Sequence, residues 1–262
     1  MARPRYGITA LVDPDPLGWG HYTEGMADGS VPAKHKWNTE ASPYCVPNEL
    51  ICGTIGQFLG LPIPAFALTH PSGGKPAPFL FSSLHFNFEG RQLSPVMPSQ
   101  CVAALAELCA GIVVFDVLIG NADRHDANLA VDRMEKPKEM RVFDHDCALF
   151  GANCGGNLVG VARLHALKGR LGVTGSELSS GNRHCLLDAM TDSRPFAPWV
   201  YRLWQLNGDF IRRTCAAAVN FGLSNDEAEE AANFIDHRSR SMRSLLNRHS
   251  CEFEGIEQWS LI

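Results

Sequence analysis

Gly120-Asn121-Ala122-Asp123-Arg124-His125-Asp126-Ala127-Asn128, followed by Val142-Phe143-Asp144-His145, decides the reading of this chain. The first stretch comes after an apolar run from Cys101 to Ile119, which reads as a long helix capped by Ser99 and ended by Gly120. Asp123 leads a polar loop, Asn128 closes it five residues later, and Asp144 ends an apolar run sixteen residues beyond that. Leu129-Ala130-Val131 and Met140 to Phe143 read as strands flanking a charged turn, and their pairing would bring Asn128 and Asp144 to one mouth. An acid able to take a hydroxyl proton, an amide oxygen and a second acid form the inventory that handles a divalent cation and a phosphate chain. Either of Asp123 and Asn128 alone is as easily a turn residue; the joint pattern is what points to phosphoryl chemistry.

The remainder of the chain sets bounds on that reading. Its 262 residues, 45% apolar and 19% charged, suffice for one large domain or two tightly joined lobes. The net charge of −5 argues against nonspecific binding to nucleic acid or an anionic membrane, and leaves a nucleotide ligand open. Nine cysteines at irregular spacings, several inside apolar runs (Cys52, Cys101, Cys109, Cys215), are expected to be buried free thiols of a reducing compartment. The opening Met1 to Tyr6 is too short and interrupted for a signal peptide, so a cytoplasmic location is expected. Glu107 and Asp116 interrupt the most membrane-like segment, which therefore reads as a core helix.

Along the chain, Tyr6 to Val12, His21 to Ala27, Val31 to Trp37 and Ala65 to Leu68 read as strands, with Asp28-Gly29 at a hairpin turn. Glu49 to Leu59 carries apolar residues at helical spacing and stops at Gly60. After the prolines at 95 and 98 the pattern turns helical, with Arg163 to Leu171, Trp199 to Phe221 and Asp226 to Ser250 as further helices. Ser224 and Glu227 form a capping-box pattern before the last of these. The fold expected is α+β: a small, mainly β portion over residues 1–95 and a larger, mainly α portion over 96–262.

The pattern Gly120-Asn121-x-Asp123-Arg124-His125-x-x-Asn128 with Phe143-Asp144-His145 resembles the HipA-like kinases, and more distantly the phosphoinositide lipid kinases, both with a two-lobed protein-kinase-like fold. The resemblance spans residues 20–150. Val31 to Trp37 looks like the family's lysine-bearing strand, and Asn48-Glu49-Leu50 with Leu59 to Pro64 like its glutamate-bearing helix and exit. It implies that Asp123 is the catalytic aspartate that receives the hydroxyl proton, that Asn128 and Asp144 hold magnesium against ATP, and that Glu49 holds a lysine on the α/β-phosphates. Lys36 is preferred for that lysine on its spacing to Glu49 and the bulky Trp37 behind it; Lys34, on the same strand face, competes. No Gly-x-Gly-x-x-Gly motif occurs, and Gly18 and Gly20 are the nearest candidates for a loop over the phosphates. Gly151 to Gly160, in the place of an activation segment, contains no serine or threonine to phosphorylate.

The expected partners are a nucleotide and a hydroxyl acceptor, a protein or a small molecule, with no nucleic acid or membrane and with room for a regulatory protein partner. Two other classes compete. A metal-dependent hydrolase would gather His125, Asp144, His145 and Asp123 around a transition metal. A degenerate kinase fold would bind nucleotide or protein without turnover.

Overall fold

A computed structural model of the chain describes residues 33–69, 79–87, 90–152, 158–175 and 183–260. The strands expected at Tyr6 to Val12 and His21 to Ala27, the Asp28-Gly29 turn, and the loop candidates Gly18 and Gly20 lie outside the described residues. A three-stranded antiparallel sheet of β1 (Ala33–Lys36), β2 (Phe66–Thr69) and β3 (Leu80–Leu84) has the order β1-β3-β2. The central strand β3 has no counterpart among the expected elements, because Leu-Phe-Ser-Ser-Leu lacks the apolar alternation that marks a half-buried strand. Cross-strand bonds hold one of its serines instead: buried Ser82 hydrogen-bonds His35 Nδ1 of β1 at 2.7 Å and the Thr69 hydroxyl of β2 at 2.5 Å. On the opposite face the register sets Lys34 against Ser83 and Lys36 against Phe81.

Helix α1 (Cys45–Phe58) begins four residues before the expected start at Glu49, so Asn48 and Glu49 lie in its first turns, both buried. Pro47 sits early in the helix, where it is tolerated because the first N–H groups have no intrahelical acceptor. The chain then leaves through Pro62, whose carbonyl accepts from the Val142 N–H at 3.2 Å, tying the sheet region to the later part of the chain.

Helix α2 (Pro98–Ile119) is the centre of the helical portion. Ser99 is not its cap: Met97 occupies that position and Pro98 opens the helix, so the serine lies inside the first turn. The helix is long and apolar enough to cross a membrane by length and composition, yet from Cys109 to Ile119 every side chain is buried within this fold. Gly111 lets α4 (Phe196–Leu203) approach closely, since a Cβ there would stand 2.1 Å from the Trp199 ring. Gly120 ends α2 in the left-handed conformation with φ 60°.

Beyond α2, β4 (Leu129–Val131) pairs antiparallel with β5 (Met140–Val142), as the alternation indicated. Then come α3 (Val161–Leu167), α4, α5 (Gly208–Ala217) and α6 (Asn225–Arg248). The single helix expected from Trp199 to Phe221 is in fact two. The break at Trp204–Asn207 arises because the Asn207 side chain accepts from the Phe210 N–H and starts a new helix at Gly208. The Ser224–Glu227 capping box is present in full at the start of α6.

One buried polar network ties α2 to the loop that follows it, to Phe143 and to His184. Asp116, interior to that helix and fully buried, accepts from Arg124 Nε at 2.8 Å, from Arg124 Nη2 at 3.2 Å, and from the Asn121 amide at 3.0 Å. His184 Nε2 stands 3.0 Å from its other edge. Burial alone would raise the Asp116 carboxyl, but the Arg124 guanidinium and the His184 bond hold it well below the usual carboxylate range. Its contribution to stability is therefore complete above the ordinary carboxylate pKa and is lost only as the pH falls through the depressed folded value. Asp116→Asn would strand the buried guanidinium, with an expected loss of about 3–5 kcal/mol in chemical denaturation at pH 7. The same charge change on the exposed face of α2, Glu107→Gln, should cost less than about 0.5 kcal/mol; equal losses would remove the network from this account.

Candidate active site

Lys36, at the end of β1, reaches across to the first turns of α1 and to the segment after β5. Its Nζ lies 2.6 Å from Glu49 Oε1, 2.6 Å from Asp144 Oδ1 and 3.7 Å from Asp146 Oδ2. Burial would depress this ammonium, yet attraction by Glu49, Asp144 and Asp146 carries it well above the ordinary lysine value. Glu49 responds in the opposite sense: burial would raise it, but hydrogen bonding from His145 and the charge of Lys36 bring it down to about 2. Lys34 lies on the same strand face, as alternation requires, but its ammonium stands over the rings of Phe86 and Phe143, 5.8 and 5.5 Å from their centroids. Of the two lysines, Lys36 is the one brought to Glu49 and Asp144.

Asp144 follows β5 in the left-handed conformation, φ 67°, which an aspartate tolerates better than most side chains. Lys36 and the side chain of Asp146 keep the Asp144 carboxyl below its usual value, although burial and Glu49 oppose them. Asp146 is pushed up to about 6 by burial and by the charge of Asp144. Two acids and one ammonium thus meet at the cleft mouth, backed by a buried glutamate.

Arg124 joins this cluster to the loop bearing Asp123. Its Nη1 donates to the carbonyl oxygens of Asn128 and Phe143, so one fully buried guanidinium holds the residue before β4 beside the residue before Asp144. Asn128 also donates through Nδ2 to the Asp123 carbonyl at 2.9 Å, and Asn121 Oδ1 accepts from the Asp123 N–H at 3.2 Å. The Asp123 carboxylate is left at the surface of the loop, 36% exposed; the nearby Cys147 thiol is raised by burial first, then by the charges of Asp146 and Asp123. His125 turns its Nδ1 to the Ala127 N–H and its Nε2 to within 4.0 Å of Asp123.

The cleft itself is divided. A cavity of about 110 Å³ is lined by Lys36, Ile63, Phe81, Phe143 and Asp144, and one of about 210 Å³ by His85, Asn87, Gln92, Ala130 and Phe143. Lys34, Phe86 and Phe143 wall both, and the two phenylalanine rings stand 5.1 Å apart. Each chamber alone is smaller than an ordinary ligand pocket, which runs from about 300 Å³ upward.

Among the described residues no three histidine, cysteine or acidic side chains converge as a metal site. His145 is turned away from the cleft mouth, its Nδ1 on Glu49 at 3.2 Å, and His125 is occupied in its own loop. The side chains that a transition-metal hydrolase would need therefore do not converge among the described residues. The oxygen donors Asp144, Asp146 and Asn128 are instead of the hard kind that share magnesium with phosphates and water.

Sequence reasoning named the cleft residues but not what supports them. Asp116 served only as a charge too costly for lipid; the same cost demanded a cationic partner, and Arg124 eight residues on was the nearest candidate. Asn48, whose amide donates to the Asp146 carbonyl at 2.7 Å, and His184 carried no local signal.

The sequence model of the HipA-like kinase family matches residues 36–154. The crystal structure of a Helicobacter pylori proinflammatory kinase, CtkA, is similar in fold, with a TM-score of 0.54 at 13% sequence identity, covering 94% of this chain and 97% of that one. No curated protein matches the chain. Between residues 36 and 154, a stretch that includes Lys36, Glu49, Asp123, Asn128 and Asp144, the chain is similar in sequence to the HipA-like kinases, and its fold is similar to that of a bacterial kinase.

Proposed function

We propose that this protein is an ATP- and magnesium-dependent kinase that transfers the γ-phosphoryl group to a hydroxyl, with serine or threonine of a protein as the acceptor. The observation that carries the reading is Lys36 held 2.6 Å from both Glu49 and Asp144, at the same end of the β4–β5 hairpin as the loop of Asp123 and Asn128. The family match over residues 36–154 supports phosphoryl transfer as the reaction class. The protein acceptor rests on analogy with that family, a small-molecule hydroxyl being the alternative. On this reading residues 1–95 and 96–262 are the two lobes of the kinase, the nucleotide lies between them, and neither nucleic acid nor membrane takes part. The buried free cysteines favour a cytoplasmic setting, where a regulatory protein partner has access.

Asp144 and Asn128 would hold magnesium: Asp144 offers a carboxylate at the mouth, and the amide nitrogen of Asn128 is committed to Asp123, leaving its oxygen as the ligand atom. Magnesium in that place supplies neutralisation of the phosphate oxygens as charge shifts during transfer. Lys36 binds the α/β-phosphates and Glu49 keeps its ammonium aimed at them. Asp123 orients the acceptor hydroxyl and takes its proton as the new O–P bond forms in line. The bond from the γ-phosphorus to the bridging oxygen breaks, and its electron pair leaves on ADP. Electrostatic positioning by groups already in place does most of this work.

Release of labelled γ-phosphate from ATP, with or without added acceptor, tests the assignment. The wild-type protein should turn over only with magnesium, and Asp123→Ala and Asp144→Ala should each be slower by about a hundredfold or more. Equal turnover by all three proteins would sink the mechanism. The two lysines should separate in the same assay: Lys36→Met is expected to lower kcat by about tenfold or more, while Lys34→Met acts mainly on KM for ATP. The reverse ranking would hand the phosphate role to Lys34.

A further inference from the structure

Two neighbouring residues of α1 grip the segment that carries Asp144. Glu49 Oε1 accepts from the His145 backbone N–H at 3.1 Å as well as from Lys36, and Glu49 Oε2 lies 3.2 Å from His145 Nδ1. Asn48, buried beside it, donates to the Asp146 carbonyl at 2.7 Å and accepts from the Phe150 N–H at 3.4 Å. The left-handed turn at Asp144, φ 67°, is what reverses the chain so that the next N–H faces back toward Glu49.

The histidine is chemically specific. A carboxylate only accepts, so Nδ1 carries the hydrogen that faces Glu49. Among the described residues Nε2 is buried with no hydrogen-bond partner, and the ring stands edge-on to Phe115 at 5.7 Å and 77°. An apolar side chain of similar size would fill that space without an orphaned nitrogen, whose burial costs free energy. The bond from Nδ1 to Glu49 is the interaction that accounts for a histidine here.

We infer that His145 and Asn48 are positioning residues that fasten α1 to the Asp144 segment, so that the Lys36–Glu49 pair and Asp144 move as one preset unit. The role in turnover rests on the phosphotransfer reading above; the fastening itself does not. An outward swing of α1 must break the bonds of both residues at once, so Lys36 stays on Glu49 whether or not nucleotide is bound. Preorganisation of this kind removes a reorganisation step from the reaction.

The test uses the full chain and three variants. His145→Asn keeps an amide donor near the place of Nδ1 and drops Nε2; His145→Leu keeps bulk and loses the donor; Asn48→Ala releases the second grip and serves if the leucine variant does not fold. Acetic anhydride labelling followed by peptide mass spectrometry reads the freedom of the Lys36 amine, and initial rates with magnesium and ATP read turnover. Lys36 should be acetylated about threefold faster or more in His145→Leu and Asn48→Ala, and at the wild-type rate in His145→Asn. In His145→Leu kcat should fall about tenfold, with KM for ATP within about threefold of wild type and both rescued in His145→Asn. Wild-type labelling of Lys36 in both loosened variants would overturn the inference, whatever the kinetics. The expected labelling with a wild-type protein that cannot turn over ATP would uphold the fastening and reject the phosphotransfer reading instead.

Discussion

The buried ion pair of Arg124 with Asp116 is the constraint on which the candidate site depends. Both side chains are fully removed from solvent, and taking two charges out of water costs several kcal/mol per ion before any partner is found. The cost is offset by saturation: Asp116 is met by Arg124, Asn121 and His184, and Arg124 directs its remaining donors to the carbonyls of Asn128 and Phe143. Those carbonyls belong to the residues next to the two ends of the hairpin. A charge pair that adds little net stability can thus fix where the loop of Asp123 stands relative to the segment of Asp144, because Arg124 bonds to the backbone on both sides.

A second charge problem is solved at the cleft mouth in a different way. Lys36 faces Glu49, Asp144 and Asp146 together, and one ammonium cannot neutralise three carboxylates. The excess falls on Asp146, the acid raised to about 6, while Glu49 and Asp144 remain depressed. Under the proposed reading that excess negative charge is what a magnesium ion meets. The inner end of the cluster is closed by His145 and Asn48, and its outer end opens on a cleft that Phe86 and Phe143 divide in two. Under the same reading, the phosphate end is the preset part of the site and the base end the part that opens around a nucleoside.

Much of this was legible in the sequence because it was local. Gly120, the polar loop and the paired strands at 129–131 and 140–142 follow from periodicity and turn chemistry, and their pairing brings Asn128 beside Phe143 and Asp144. Strand alternation placed Lys34 and Lys36 on one face without separating them; the separation came from tertiary contacts, the Phe86 and Phe143 rings taking Lys34 and Glu49 taking Lys36. β3 went unread because Ser82 is buried through cross-strand hydrogen bonds, a partnership that periodicity does not encode. The break between α4 and α5 was hidden because a capping asparagine in an apolar stretch looks like any polar residue until its acceptor role is seen. His184 lies sixty-eight residues from Asp116, and no spacing rule connects them.

The most direct test of the central claim is a structure of the protein with magnesium and a non-hydrolysable ATP analogue. The account predicts α- and β-phosphates on the Lys36 ammonium, magnesium between Asp144 and Asn128, the Asp123 carboxylate facing the γ-phosphate, and the rings of Phe86 and Phe143 parted around the nucleoside. Phosphates bound away from Lys36, or magnesium held without Asp144, would contradict it.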